Sequence, residues 1–207
     1  MDALTDFLDR GLIRNAVNAP AVPPAIYSRL LPYIRLARLL GSVGASVAGG
    51  PLVGVGIRTY GEVAELPEAP LSTAVLEGVL GALRCENVTP VNATATATRR
   101  GIEVVRSHST RDRPYPGLIS VKVRTAAGTE HWLEGTLSAS REPRLVLLDG
   151  VRVDAPLAGE LILIWNRDQP GVIGEIGTRL GRHGINIGNF SLGRTSDGRA
   201  VGVLDVD

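Results

Sequence analysis

The chain has 207 residues, a hydrophobic fraction of 44%, a charged fraction of 21% and a formal net charge of +1. These values are typical of one large or two modest folded domains. The near-neutral charge argues against a dedicated nucleic-acid surface, which carries a clustered basic stripe. The single cysteine, Cys85, excludes an internal disulfide and any metal site that this chain would build from several thiolates.

The N-terminal residues carry no targeting signal that the sequence reveals. Acidic residues interrupt the apolar positions there, so the segment does not resemble a signal peptide. No apolar run approaches the roughly 20 residues that span a bilayer. We therefore expect a cytoplasmic protein that has neither a membrane nor a nucleic acid as its partner.

The first elements in chain order are helical. Residues 3–13 predict a short helix, and residues 14–20 predict an extended linker strap because they lack helical periodicity and lead into prolines. A helix is expected from about Pro24 to Leu40. Pro32 either kinks this helix or starts a second one.

The pattern then switches between strand and helix. Residues 51–66 follow a period of two, which predicts a strand or a hairpin broken at Gly61. Residues 72–83 and 92–99 return to helical spacing. Four further strands are predicted, at 102–107, 118–125, 131–137 and 145–148. This order predicts an α+β domain with an antiparallel sheet over residues 24–155.

The last quarter of the chain carries the most specific motif. A buried strand is expected at residues 161–165, a helix from Pro170 and a second strand from Ile185. A helix N-terminus offers free N–H groups and positive partial charge to a carboxylate. Asp168, beside that N-terminus, is placed to hold an ammonium group. A free amino acid needs both of these sites.

This pattern resembles the ACT domain, a small module that binds amino acids and regulates metabolic enzymes. The resemblance covers residues 159–207 and rests on NRDQPGVI at 166–173, followed by GINI at 184–187. It implies a ferredoxin-like βαββαβ module. With the third strand at 200–206, we expect that the last helix and strand of the module are missing. An ordinary βαβ unit with a proline-capped helix is the alternative.

The order of features over nearly the whole chain is similar to the C-terminal region of long-form D-3-phosphoglycerate dehydrogenases. The matching features are RNAVNAP at 14–20, VNA at 91–93, RGIEV at 100–104 and the closing ACT-like module. The resemblance implies three parts: the end of a preceding domain with a linker (1–23), an allosteric substrate-binding domain (24–155) and a truncated ACT domain (156–207). We therefore expect an expressed fragment or a shortened natural chain.

The resemblance also implies an effector site. Members of this family bind L-serine for feedback inhibition, and the matching positions are Asn166, Asp168, Gly171 and Asn186. The site usually lies between two ACT modules, so a homo-oligomer through the ACT and allosteric domains is implied. On residue grounds alone, Asp168 could be only a helix cap, a role worth about 1 kcal/mol.

A second implied site is an anion site in the middle domain, which the family associates with phosphorylated substrate or phosphate. Arginine binds such groups through two parallel hydrogen bonds. The candidates are basic residues near predicted strand ends: Lys122, Arg124, Arg141, Arg144 and Arg152. Basic residues on an antiparallel sheet are more often a solvated face, and that alternative stays open.

We predict no catalytic residue, metal site or cofactor in this chain. The string Gly54-x-Gly56-x-x-Thr59 lacks the third glycine of a dinucleotide-binding loop. The three histidines, His108, His131 and His183, have no partners at catalytic or metal-ligand spacing. By resemblance, NAD and the catalytic residues belong to the catalytic domains of the parent enzyme, which are partners of this chain.

The predicted function is therefore regulatory: L-serine or a related amino acid binds and changes the activity of upstream domains. Three other functions stay open, of which the last is a free-standing enzyme of unknown type. The first is a regulatory subunit of an L-serine dehydratase, which shares related domains but lacks the strap in the form seen here. The second is an ACT-type amino-acid-sensing regulator, which would require a helix-turn-helix that the sequence does not show.

Overall fold

The structure is a computed structural model and describes residues 23–207. The helix predicted at residues 3–13 and the strap predicted at 14–20 lie outside the described residues. No helix within residues 23–207 is long and apolar enough to cross a membrane.

The first part of the described chain is a helical layer on a six-stranded sheet. The helices are α1 (Pro24–Val47), α2 (Glu68–Ala82) and α3 (Ala93–Arg99), and a short 3-10 helix occupies Glu62–Glu65. The strands are β1 (Leu52–Gly61), β2 (Glu103–Ser109), β3 (Gly117–Thr125), β4 (Glu130–Leu137), β5 (Pro143–Leu148) and β6 (Val151–Pro156). Their order in the sheet is β2-β1-β3-β4-β5-β6.

The pairing within this sheet follows from the connections. Strands β1 and β2 are parallel, because α2 and α3 carry the chain back between them. The other neighbouring pairs in this sheet are antiparallel. The predicted α+β class with antiparallel sheets is confirmed, with this one parallel pair as a refinement.

The structure decides between two pairs of alternatives that the sequence left open, and it adds one strand. Strand β1 is continuous and ends at Gly61, where φ is +60, so no hairpin breaks it there. Helix α1 continues through Pro32 as one helix of 24 residues. Strand β6 was not predicted, although its buried and exposed residues alternate; the strand includes Ala155 and Pro156.

Close packing of α1 on α2 builds the helical layer. A Cβ added to Gly78 would lie 1.9 Å from the carbonyl oxygen of Arg38, so only glycine permits this approach. The largest fully buried side chains include Leu36 and Leu40 of α1 and Leu76 and Leu80 of α2. The helices cover one face of the sheet and leave its other face, the outer face, free of them.

The last part of the described chain is a three-stranded sheet with one helix. Its elements are β7 (Glu160–Arg167), α4 (Val172–Arg182), β8 (Ile187–Arg194) and β9 (Arg199–Val206). The strand order is β7-β9-β8, and both pairings are antiparallel. This βαββ order agrees with the predicted ferredoxin-like module.

The two sheets share one apolar core. Val201 and Val203 of β9 are 1% exposed and belong to the same buried cluster as Val151 and Val153 of β6. A Cβ on Gly193 of β8 would lie 2.3 Å from the carbonyl oxygen of Arg152, so the backbones of β8 and β6 are in close contact. The face of the three-stranded sheet that bears Val201 and Val203 therefore packs on β6.

Candidate functional site

Three of the four predicted effector residues lie where β7 ends and α4 begins: Asn166 at the end of β7, and Asp168 and Gly171 in the turn that follows. The backbone N–H of Asp168 donates to Gly198 O at 2.9 Å, which ties the turn to the β8–β9 hairpin. Gly171 is the residue before the helix and has φ of +93, a conformation that favours glycine. Pro170 precedes this N-cap residue, so its predicted place in the first helical turn is wrong.

The start of α4 carries unsatisfied donors at the protein surface. Within residues 23–207 no side chain caps this helix, so the interpretation of Asp168 as a helix cap is wrong. The first N–H groups of a helix have no intrahelical acceptor and carry positive partial charge. Glu175, the acidic residue of the first turn, lies 3.6 Å from Arg179 in an exposed ion pair.

The carboxylate of Asp168 faces a cation of the same chain. Its Oδ1 lies 3.3 Å from Nε of Arg194, and the two side chains are 35% and 58% exposed. An exposed pair of this kind contributes about 0–1 kcal/mol, so another cation can compete for the carboxylate. An ammonium group would therefore have to displace Arg194 or share Asp168 with it.

Asn166 and Asn186 lie at opposite ends of the three-stranded sheet. The side chain of Asn166 donates from Nδ2 to Arg167 O at 2.6 Å, at the end of β7. Asn186 precedes β8 and exchanges two backbone hydrogen bonds with Asp207, at 3.1 and 3.3 Å. Since β7 and β8 are both antiparallel to β9, the start of β8 lies far from the end of β7. The 11 residues of α4 alone span about 16 Å.

One chain therefore brings together Asn166, Asp168 and Gly171 but not Asn186. A site that used all four positions would need Asn186 from a second chain.

Two of the predicted anion ligands lie in a groove of about 760 Å³ on the outer face of the six-stranded sheet. The strand register places Gly54 beside Arg124 and Gly56 beside Lys122. Because glycine has no side chain, the floor of the groove is bare backbone there. Trp132 of β4, opposite Lys122, forms part of the wall.

Both groove cations have carboxylate partners. Lys122 Nζ lies 2.6 Å from Glu130, and Arg124 Nη2 lies 3.0 Å from Glu103. Arg124 crosses above Gly54 to make this contact, since a Cβ on that glycine would lie 3.2 Å from its Nε. An anion in the groove would have to compete with these two carboxylates.

The other three candidates do not join the groove. Arg144 donates from Nε to Asp154 Oδ1 at 2.5 Å and from Nη2 to the Asp154 carbonyl at 3.2 Å. Arg141, with φ of +64, donates to the carbonyl of Arg29 in α1 at 3.0 Å. Arg152 is exposed on β6, so the five basic residues do not form one site.

Sequence reasoning missed a buried ion pair beside the groove. Glu134 of β4 is 4% exposed and accepts a hydrogen bond from Arg113 at 2.8 Å. The Arg113 guanidinium also lies over the ring of Tyr60, 4.6 Å from its centre. Burial raises the pKa of Glu134, and the positive charges of Arg113 and Arg152 oppose that rise. The alternating pattern of the strand that contains Glu134 gives no indication that its partner, Arg113, lies 21 residues earlier in the chain.

His131 also has a partner that the sequence did not reveal. Its Nδ1 lies 2.8 Å from Asp149 Oδ2, and its ring lies 6.4 Å from the ring of Trp165 in β7. Among the described residues no group of three or more His, Cys, Asp or Glu side chains could hold a metal ion.

Comparison with known proteins finds two family matches. Residues 29–149 match the D-3-phosphoglycerate dehydrogenase intervening domain, and residues 161–207 match the ACT domain. A relative from Synechocystis sp. named D-3-phosphoglycerate dehydrogenase is 33% identical to this chain, and the match covers 94% of this chain and 35% of the relative. A relative of the same name from Archaeoglobus fulgidus is 31% identical, and the match covers 89% of this chain and 35% of the relative. A Bacillus subtilis relative of the same name is 31% identical, and the match covers 94% of this chain and 37% of the relative. The chain thus spans about a third of the length of these curated relatives.

Proposed function

The chain belongs to the D-3-phosphoglycerate dehydrogenase family, and on that premise we propose that it is a regulatory region whose ACT module binds L-serine or a related amino acid. The intervening-domain match favours this function over a serine dehydratase subunit and over an ACT-type regulator. The parent enzyme would oxidise 3-phosphoglycerate with NAD in L-serine biosynthesis, in catalytic domains outside the residues described.

The observation that carries this proposal is the β7–α4 turn. It combines an uncapped helix start, which attracts a carboxylate, with Asp168, which attracts an ammonium group. Asn166 adds an amide with both a donor and an acceptor beside them. These groups match the two charged ends of a free amino acid.

The remaining predicted ligand, Asn186, would come from a second chain. If two α4 helices lie side by side and antiparallel, the end of one helix meets the start of the other. Asn186 of one chain then approaches Asp168 of its partner. Helix α4 has room for such a neighbour, because a Cβ added to Gly174, Gly177 or Gly181 meets no atom within 4 Å.

Regulation would follow from linkage. An amino acid that binds across two modules stabilises the paired arrangement in proportion to its preference for that arrangement. Coupling of this type is typically about 1–3 kcal/mol, enough to change the affinity of the attached domains for their own ligand about 5- to 150-fold.

A second candidate function is anion binding in the outer-face groove. The observation in its favour is that Lys122 and Arg124 share one groove with a glycine floor. Phosphate would replace the carboxylates of Glu130 and Glu103 at these cations. Arg141, Arg144 and Arg152 are not part of this proposal, because their contacts lie elsewhere.

Thermal unfolding with L-serine, D-serine and glycine tests the effector proposal. Ligand at about 100 times its dissociation constant adds about 2.7 kcal/mol to the stability of the folded state. For a chain of this size the midpoint should rise by about 5–10 °C, and L-serine should raise it most. The Asp168→Asn variant should lose the rise, whereas Asp112→Asn, a change at an exposed loop aspartate, should keep it. Equal midpoints with and without every ligand would contradict the proposal.

A further inference from the structure

One aspartate joins two neighbouring residues of β4. Asp149 lies in the turn between β5 and β6, where it and Gly150 have φ of +51 and +82. Its Oδ1 accepts a hydrogen bond from the backbone N–H of Trp132 at 2.9 Å, and its Oδ2 lies 2.8 Å from Nδ1 of His131. Its own N–H donates to Trp132 O at 2.8 Å. The carboxylate therefore sets the positions of His131 and Trp132 together.

These two residues face different parts of the molecule. Neighbouring side chains in a strand point to opposite faces of a sheet. Trp132 lines the groove, and its indole Nε1 donates to Ser120 Oγ at 2.6 Å. His131 instead meets Trp165 of β7, with ring centres 6.4 Å apart and a tilt of 59°. This geometry is favourable for an aromatic pair.

Trp165 lies close to the proposed effector site. It precedes Asn166 and comes three residues before Asp168. The register places Trp165, Val201 and Gly193 in one row across the three-stranded sheet. Gly193 contacts the carbonyl of Arg152 in β6, so this row connects the end of β7 to the β5–β6 hairpin. Trp165, in the same row, is the residue whose ring pairs with that of His131.

We propose that Trp165, His131 and Asp149 form a relay through which the ligand state of the β7–α4 turn controls the position of Trp132 in the outer-face groove. The relay rests on the proposed function for its effector. It adds a route, built from contacts within one chain, that couples the ACT module to the groove on the six-stranded sheet. Coupling requires that both ends bias the same element, and that element is the Asp149 carboxylate with its two β4 partners.

The chain has two tryptophans, and this makes the relay measurable. Trp165→Phe and Trp165→Ala each leave Trp132 as the only tryptophan, so the fluorescence of either variant reports on the groove. Phenylalanine keeps a ring against His131, whereas alanine removes it. We expect the acrylamide quenching constant of Trp132 to be about two- to fivefold higher in Trp165→Ala, because local contacts limit local opening.

A second variant and a control complete the quenching experiment without ligand. His131→Ala, made in the Trp165→Phe background, should raise the quenching constant in the same way without a change in β7. Val91→Ala in that background should leave it unchanged, because Val91 is 68% exposed and lies before α3. Circular dichroism identifies the variants that fold. Equal quenching in the folded His131→Ala chain and its Trp165→Phe parent would overturn the relay.

Measurements with L-serine distinguish a failure of the relay from a failure of the proposed function. Calorimetry first measures L-serine binding to the Trp165→Phe chain, and quenching of Trp132 is then measured with the site saturated. A change in quenching that His131→Ala abolishes supports the relay. Binding without any change at Trp132 overturns the relay alone. Absence of binding overturns the proposed function and, with it, the effector step of the relay.

Discussion

The β7–α4 turn and the outer-face groove differ in how far apart in the chain their residues lie. The site at the turn uses residues 166–171, which are consecutive and include the end of β7, and its ion pair with Arg194 is exposed. The groove combines residues of β1, β2, β3 and β4 with the Asp149-Gly150 turn, and beside it lies the buried pair of Arg113 and Glu134. We therefore expect changes around the groove to affect folding and changes in the turn to affect mainly ligand binding.

The largest expected effect is that of Arg113→Ala. This change leaves the carboxylate of Glu134 buried without its cation, which costs about 3 kcal/mol. Urea unfolding measures the loss, and Arg111→Ala, an exposed arginine in the same loop, is the matched control with a change of about 0.5 kcal/mol or less. Equal stabilities of the two variants would contradict the expectation that the buried Arg113–Glu134 pair contributes to folding.

The next effect is a pH dependence that Glu134 introduces. The fold raises the pKa of this carboxyl through burial, so folding favours its neutral form relative to the unfolded chain. Its contribution to stability is complete below the unfolded value of about 4.3 and is lost as the pH rises through the folded pKa. Urea unfolding from pH 4 to pH 7 should show wild type losing stability relative to Glu134→Gln. The opposite slope would show that Arg113 outweighs desolvation.

Gly56→Ala should reduce anion binding in the groove without much effect on the stability of the fold. An added Cβ meets the Lys122 Cβ at 3.6 Å, an ordinary contact, so we expect a change in stability of within about 1 kcal/mol. The methyl group fills the glycine floor, and phosphate affinity measured by calorimetry should fall. Gly198→Ala is the contrasting control, because φ of +81 at Gly198 makes alanine costly by about 1–2 kcal/mol without any contact to the groove.

The smallest stability effect belongs to Asp168→Asn. The pair with Arg194 is exposed, so its loss should cost about 0.5 kcal/mol or less and should disappear at high salt. Thermal unfolding at two salt concentrations checks this. A loss of several kcal/mol would show that the turn is a structural element, and the contrast between the two regions would fail.

Local patterns allowed much of the fold to be predicted. The order of helices and strands from Pro24 onward and the strand–turn–helix of the ACT-like motif depend on periodicity, glycine and proline, all of which act over a few residues. Strand β6 carried the same signal in Val151, Val153 and Ala155, but it is only six residues long and ends in a proline, which makes the strand signal weak. The parallel pairing of β2 with β1 has no local signal, because it depends on where two helices return the chain.

The candidate sites also combine relations that the sequence determines with relations that only the tertiary structure decides. The sequence by itself determined that Asn166, Asp168 and Gly171 share a turn at a helix start, since residues close in the chain cannot be far apart in space. Only the tertiary structure decided that Asn186 lies at the other end of the sheet, that Lys122 and Arg124 share a groove without the other three arginines, and that Asp149 joins His131 to Trp132. Each of these relations depends on strand order and register, which arise when separate elements bury their apolar faces against one another.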